Sequence, residues 1–89
     1  MMKISDKFIL KTIDGESILV PINHDYMSVQ KIINLNETSL AIYQMIKDGL
    51  NTEEIISKML AIYEVDKNTL SADVNDVIKQ FKELGVVDE

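Results

Sequence analysis

The 89-residue chain contains no cysteine, no tryptophan and no arginine, and it has one histidine and one proline. Without cysteine there is no disulfide, no thiolate metal ligand and no Cys-His dyad. A Ser-His-Asp arrangement would have to use His24, which sits in the polar connection Asn23-His24-Asp25-Tyr26 and reads as a solvated or locally hydrogen-bonded side chain. The absence of arginine removes the side chain that most often clamps phosphate or reads guanine with two hydrogen bonds. No run approaches the ~18 apolar residues of a membrane span. The start, Met1-Met2-Lys3-Ile4-Ser5-Asp6-Lys7, turns polar before a signal-peptide core can develop, so a cytoplasmic protein without membrane contacts is expected. Gly15, Gly49 and Gly85 each stand at a turn or helix end, and none belongs to a phosphate-cradling loop.

What is present is a globular composition, 46% hydrophobic and 27% charged, in a chain of one-domain length without a linker, so residues 1–89 are read as one domain. The net charge of −6 is unevenly distributed. Residues 1–35 carry four lysines and four acidic residues, whereas residues 36–89 carry five lysines against eleven. An acidic second half opposes nucleic-acid binding, which needs a basic face to neutralise phosphates.

The period of the apolar residues changes at Leu35-Asn36-Glu37-Thr38-Ser39. Before it, residues 7–13 and 16–22 are β-rich runs joined by Asp14-Gly15, a two-residue signal for a type I′ hairpin turn. In that register Phe8 and Leu10 share one face with Leu19, and Ile9 and Ile13 share the other with Ile18 and Val20; both faces are apolar, so the core side stays open at this stage. Pro21 lacks an N–H and belongs at a strand end or an edge. Residues 27–35 read as a third strand, with Val29, Ile33 and Leu35 on one face and Gln30, Ile32 and Asn34 on the other.

After the junction three helices are expected. Asn36 caps the first, Leu40, Ile42, Tyr43, Met45 and Ile46 form its apolar stripe, and Gly49 closes it. Asn51 and Glu54 stand at capping-box spacing for the second, whose buried face is Ile55, Ile56, Met59, Leu60 and Tyr63. Residues 65–68 read as a linker, and the third helix starts between Asn68 and Ser71. It carries Leu70, Val74, Val77, Ile78, Phe81 and Leu84 on one stripe and ends at Gly85, with Val86-Val87 as a last extended stub. The fold class is therefore α+β: a three-stranded antiparallel N-terminal sheet followed by three helices, similar to a winged helix-turn-helix with its wing placed first.

Candidate chemistry is sparse. Asp73, Asp76 and Glu83 form a spaced acidic series on the third helix without histidine or cysteine support, the pattern of a solvated face. Met27, Met45 and Met59 fit core filling better than a Met-lined groove. No metal and no cofactor is indicated. A small open meander must, however, expose a sheet edge, and such an edge beside an amphipathic helix can take an extended peptide as an added strand.

From Leu35 onward the chain carries Leu35-Asn36-Glu37-Thr38-Ser39, Ile42-Tyr43, Asp48-Gly49, Glu54-Ile55, Leu60, Tyr63, Asp73-Val74 and Leu84-Gly85. In that order and spacing these residues resemble the PqqD family, the pyrroloquinoline quinone biosynthesis protein D group that defines the RiPP precursor recognition element. Asp14-Gly15 and the run Ile18 to Pro21 match by pattern, while Ser39 and Tyr43 replace the family's usual Gly and Trp. The resemblance implies a non-catalytic winged-helix domain that captures the leader segment of a ribosomally made precursor peptide. The leader would pair with the third strand, pack beside the third helix, and be presented to a modifying enzyme such as a radical S-adenosylmethionine enzyme or a leader peptidase or cyclase.

Mapped onto this chain, the peptide-binding candidates are Val29, Gln30, Lys31, Ile32, Ile33 and Asn34 on the strand, and Val74, Val77, Ile78, Phe81 and Lys82 on the helix. Two rival readings remain. One is a winged-helix DNA-binding protein, motivated by topology and opposed by the acidic third helix; the other is an enzyme-partner protein that makes no peptide contact.

Overall fold

The computed structural model describes residues 2–22 and 32–88. In chain order the elements are β1 (Lys3–Ile4), β2 (Phe8–Ile13), β3 (Glu16–Pro21), β4 (Ile33–Leu35), α1 (Glu37–Lys47), α2 (Thr52–Ile62), α3 (Lys67–Glu83) and β5 (Val87–Asp88). β2, β3 and β4 form an antiparallel sheet in that order, and β1 pairs with β5 in a separate two-stranded sheet. The expected order of three strands and three helices is present, with the β1–β5 pair added; of the third strand expected over residues 27–35, Ile33–Leu35 is strand, Ile32 is not, and residues 27–31 lie outside the described residues.

The β2–β3 hairpin turns on Asp14 and Gly15, both in the left-handed region at φ 52° and 80°, as a type I′ turn requires. Pairing runs from Ile13 opposite Glu16 to Phe8 opposite Pro21, and Leu10 faces Leu19. The Ile22 N–H donates to the Lys7 carbonyl at 2.7 Å, carrying the pairing past the proline. Phe8 and Leu19 are buried and Leu10 is half-buried, whereas Ile9 and Ile13 are exposed. The Phe8, Leu10 and Leu19 face is therefore the core side.

The helices begin on side-chain caps. Asn36 Oδ1 accepts from the Ser39 N–H at 2.8 Å, and Asn51 and Glu54 exchange the two bonds of a capping box at 2.9 and 3.0 Å. α3 starts earlier than expected. Asp66 is its N-cap, accepting from the Thr69 N–H at 3.2 Å, so Lys67 and Asn68 are helical instead of linker. An aspartate before three polar residues reads as a linker by composition, yet its carboxylate satisfies a free N–H of the first turn.

α3 ends in a Schellman motif. Gly85 sits at φ 79°, the Val86 N–H donates to the Phe81 carbonyl at 2.8 Å and the Gly85 N–H to the Lys82 carbonyl at 3.2 Å. The motif swings the chain so that Val86, fully buried, packs in the same core as Phe81, and Val87 pairs with Ile4. The Ser5 N–H completes the tie by donating to the Val86 carbonyl at 2.8 Å. Leu84, expected on the buried stripe, is half exposed instead, because it is the C-cap where the stripe has rotated away from the core.

One core gathers Phe8, Leu19 and Leu35 from the sheet with Ile42, Tyr43 and Ile46 from α1, Ile55, Ile56 and Met59 from α2, and Leu70, Val74, Ile78 and Phe81 from α3. Leu60 and Tyr63, expected on the buried face of α2, lie partly buried at its margin. Ser5 is the one buried polar residue among those described; its Oγ accepts from the Lys7 N–H at 3.1 Å.

Candidate functional site

β4 is a short edge strand. Its register with β3 places Leu35 opposite Ser17, Asn34 opposite Ile18 and Ile33 opposite Leu19. Side chains alternate across a strand, so Ile33 and Leu35 point to the core side and Asn34 to the outer side. Leu35 is buried, Ile33 half-buried and Asn34 exposed. Ile32, just before β4, is 56% exposed. No described strand pairs with the other side of β4, so the backbone groups there face away from the sheet. Val29, Gln30 and Lys31 lie outside the described residues.

The helix candidates divide by burial. Val74, Ile78 and Phe81 are at most 4% exposed and are part of the packed core. Val77 is half-buried and Lys82 exposed. At 3.6 residues per turn, Val77 and Lys82 are about 140° apart around α3, on opposite flanks of its buried stripe. α3 packs on α2, α1 and β5, and α1 also backs β4; among the described residues α3 makes no extensive contact with β4. Of the described candidates, Ile33 packs partly against the core that holds Val74, Ile78 and Phe81, Ile32 and Asn34 are exposed, and only Val77 and Lys82 of the helix set offer surface.

A concavity of about 700 Å³ lies where β4 runs into α1, lined by residues of the hairpin turn, by Asn34 and Leu35, and by Asn36, Glu37 and Leu40. Its carboxylates, Glu16 and Glu37, stand at its rim without histidine. Among the described residues no group of three or more His, Asp or Glu side chains is placed to hold a metal ion. A second, more apolar concavity of about 510 Å³ lies between the β1 segment and α1, next to Phe8, Tyr43 and Ile46. Burial raises the Tyr43 phenol above its ordinary pKa of 10.0. The geometry therefore offers surfaces for binding, with no paired acid and base or activated nucleophile assembled among the described residues.

The family model described as coenzyme PQQ synthesis protein D (PqqD) matches residues 16–87. The chain belongs to the PqqD family. Two solved structures share the fold. One, TbiB1 in complex with the TbiA(beta) leader peptide, superposes with a TM-score of 0.80 at 24% identity, covering 97% of this chain and 94% of that one. The other, lasso peptide synthetase B1 complexed with the leader peptide, gives a TM-score of 0.83 at 18% identity, covering 99% and 98%. The search of curated protein sequences returned no match. No helix among the described residues is long and apolar enough to cross a membrane.

The PqqD match begins within the hairpin, at Glu16, and runs through α3 to Val87. The structure also decides which apolar face of the hairpin is left to solvent, a choice the sequence pattern leaves open. The outer face of the sheet carries Ile9, Ile13, Ile18 and Val20 exposed or half-exposed. The signal for it was present in a hairpin apolar on both faces, where only one face could be core.

Proposed function

We propose that this PqqD-family chain is a non-catalytic adaptor that captures the leader segment of a ribosomally synthesised precursor peptide and presents it to a modifying enzyme. The observation that carries this reading is the side of β4 that no described strand pairs with, in a fold shared, over nearly the whole chain, with two proteins solved in complex with leader peptides. The leader adds as a strand along residues 29–34, its backbone bonding to the free groups of the edge. Alternate leader side chains then lie beside Ile33 on the core side and beside Ile32 and Asn34 on the outer side. On α3, Val77 and Lys82 are the candidates for direct contact. Val74, Ile78 and Phe81 support the site by fixing the helix on the core.

The reading places the protein in the cytoplasm, where precursor and enzyme are made. It is favoured over a DNA-binding winged helix because α3 presents Asp73, Asp76 and Glu83 among its exposed residues. The test is fluorescence anisotropy with a labelled leader peptide of the cognate precursor and a sequence-scrambled control. Saturable binding of the native leader alone is expected; equal binding of both peptides, or of neither, contradicts the adaptor role.

A further inference from the structure

An antiparallel sheet with one side on the core ordinarily shows polar residues on the other. Here the solvent side is aliphatic. By register, Ile9 lies opposite Val20, Lys11 opposite Ile18 and Ile13 opposite Glu16, and Ile18 is flanked across β4 by Asn34. Ile9 is 44% and Ile13 54% exposed. One step further in the β3–β4 register, Val20 would face Ile32, itself 56% exposed. The aliphatic surface thus covers β2 and β3 and continues to Ile32, just before β4, at the edge proposed above to receive the leader. Among the described strand residues Lys11 and Glu16 are its charges, one of each sign, within a chain of net charge −6.

Two strands of six residues and one of three, about 4.8 Å apart, give a face of roughly 240 Å². The largest apolar patch on a monomer is usually of this order and often serves as a contact surface. The face is well below the ~800 Å² per partner of a stable interface. Two copies of this chain would also bring −6 against −6. Size and charge therefore favour a transient contact with a different protein over a second copy.

We infer that the outer face, centred on Ile9, Ile13, Ile18 and Val20, is where the modifying enzyme docks. The inference rests on the adaptor reading. The partner presents an apolar patch with an acceptor or carboxylate towards Lys11, and a net positive charge that draws it to this acidic chain. A leader strand on β4 widens the same face, since its outward side chains continue the row from Ile32. The enzyme therefore meets a larger surface on the loaded adaptor than on the empty one, and recruitment is coupled to peptide capture.

The test compares wild type, the double variant Ile9→Asp/Ile13→Asp, and Ile62→Asp, a control at an aliphatic site on α2 that is 66% exposed. Leader affinity is measured by anisotropy, and modification of the full-length precursor by the purified enzyme of its pathway is followed with the loaded adaptor as varied substrate. Leader affinity within about two-fold of wild type in all three proteins is expected, with the KM for loaded adaptor raised about ten-fold or more in the double variant alone, the scale of a lost interface anchor. An unchanged KM, or an equal rise in Ile62→Asp, overturns the proposal. So does a wild-type dimer in sedimentation that the double variant disperses, which would make a second copy the occupant. Failure of wild type to bind the leader would instead strike the adaptor reading, on which this one depends.

Discussion

Tyr43 of α1 and Phe81 of α3 meet edge to face, with ring centroids 6.5 Å apart and planes at 90°. Both are at most 3% exposed, and Phe81 also supplies the carbonyl that accepts from Val86 in the turn to β5. This pair couples the helix behind β4 to the helix proposed to flank the bound leader, and it ties both to the β1–β5 closure. Such contacts add about 0.5–1.5 kcal/mol beyond the area they bury.

Phe81→Ala is accordingly expected to cost about 3–5 kcal/mol, as for other large-to-small core substitutions. Set against a typical total of about 5–15 kcal/mol, that leaves a marginal fold. Urea denaturation followed by circular dichroism checks it. A cost below about 1 kcal/mol would mean that the α1–α3 contact does not hold the core together.

Tyr43 also predicts a pH dependence. Its pKa is raised by burial, so the folded protein retains the phenolic proton at pH values where the unfolded chain has lost it. Folded protein then binds more protons than unfolded, and stability falls as pH rises through the ordinary tyrosine value near 10. Below that value the contribution is fully present. Denaturation midpoints measured from pH 8 to 11 should decline at the alkaline end, and Tyr43→Phe should flatten the decline. An identical profile in the variant would assign the loss to other groups.

Much of this architecture was legible because local signals agreed. Asp14-Gly15, Asn36, the Asn51–Glu54 box and Gly85 each announce a turn or cap through one residue's geometry, and each stands where its chemistry predicts. Val86-Val87 read as an extended stub, but its pairing with β1 was not legible, because a two-residue strand carries no period and Lys3–Ile4 acquires its partner from the far end of the chain. The division of the α3 candidates was hidden for a related reason. A stripe such as Val74, Ile78 and Phe81 looks the same whether it faces a core or a ligand, and only packing shows that these three are core.

The junction between β4 and α1 gives a third prediction. Asn36 accepts from both the N–H and the hydroxyl of Ser39, at 2.8 and 2.9 Å. Asn36→Ala should destabilise the protein by about 1 kcal/mol, the usual cost of a lost cap. Asn36→Asp should recover most of it. Thermal melts of the two variants check this, and equal melting points would remove Asn36 from the account of how the edge is held.

A fourth prediction concerns the edge itself. Ile32 is exposed and precedes the regular part of β4, a place where proline is tolerated in folding. Ile32→Pro deletes one backbone donor and should weaken leader binding roughly two- to ten-fold, the worth of one hydrogen bond. Calorimetric titration of variant and wild type with the leader measures the ratio. An unaltered affinity in a folded variant would move the bound leader away from this N–H.

The most direct test of strand addition is amide hydrogen exchange across β4 with and without saturating leader peptide. The account predicts that amides in residues 32–35 which point away from β3 exchange more slowly in the complex, while those already bonded to β3 change little. Demonstrated binding with unchanged exchange throughout residues 32–35, and protection confined to another surface, would contradict it.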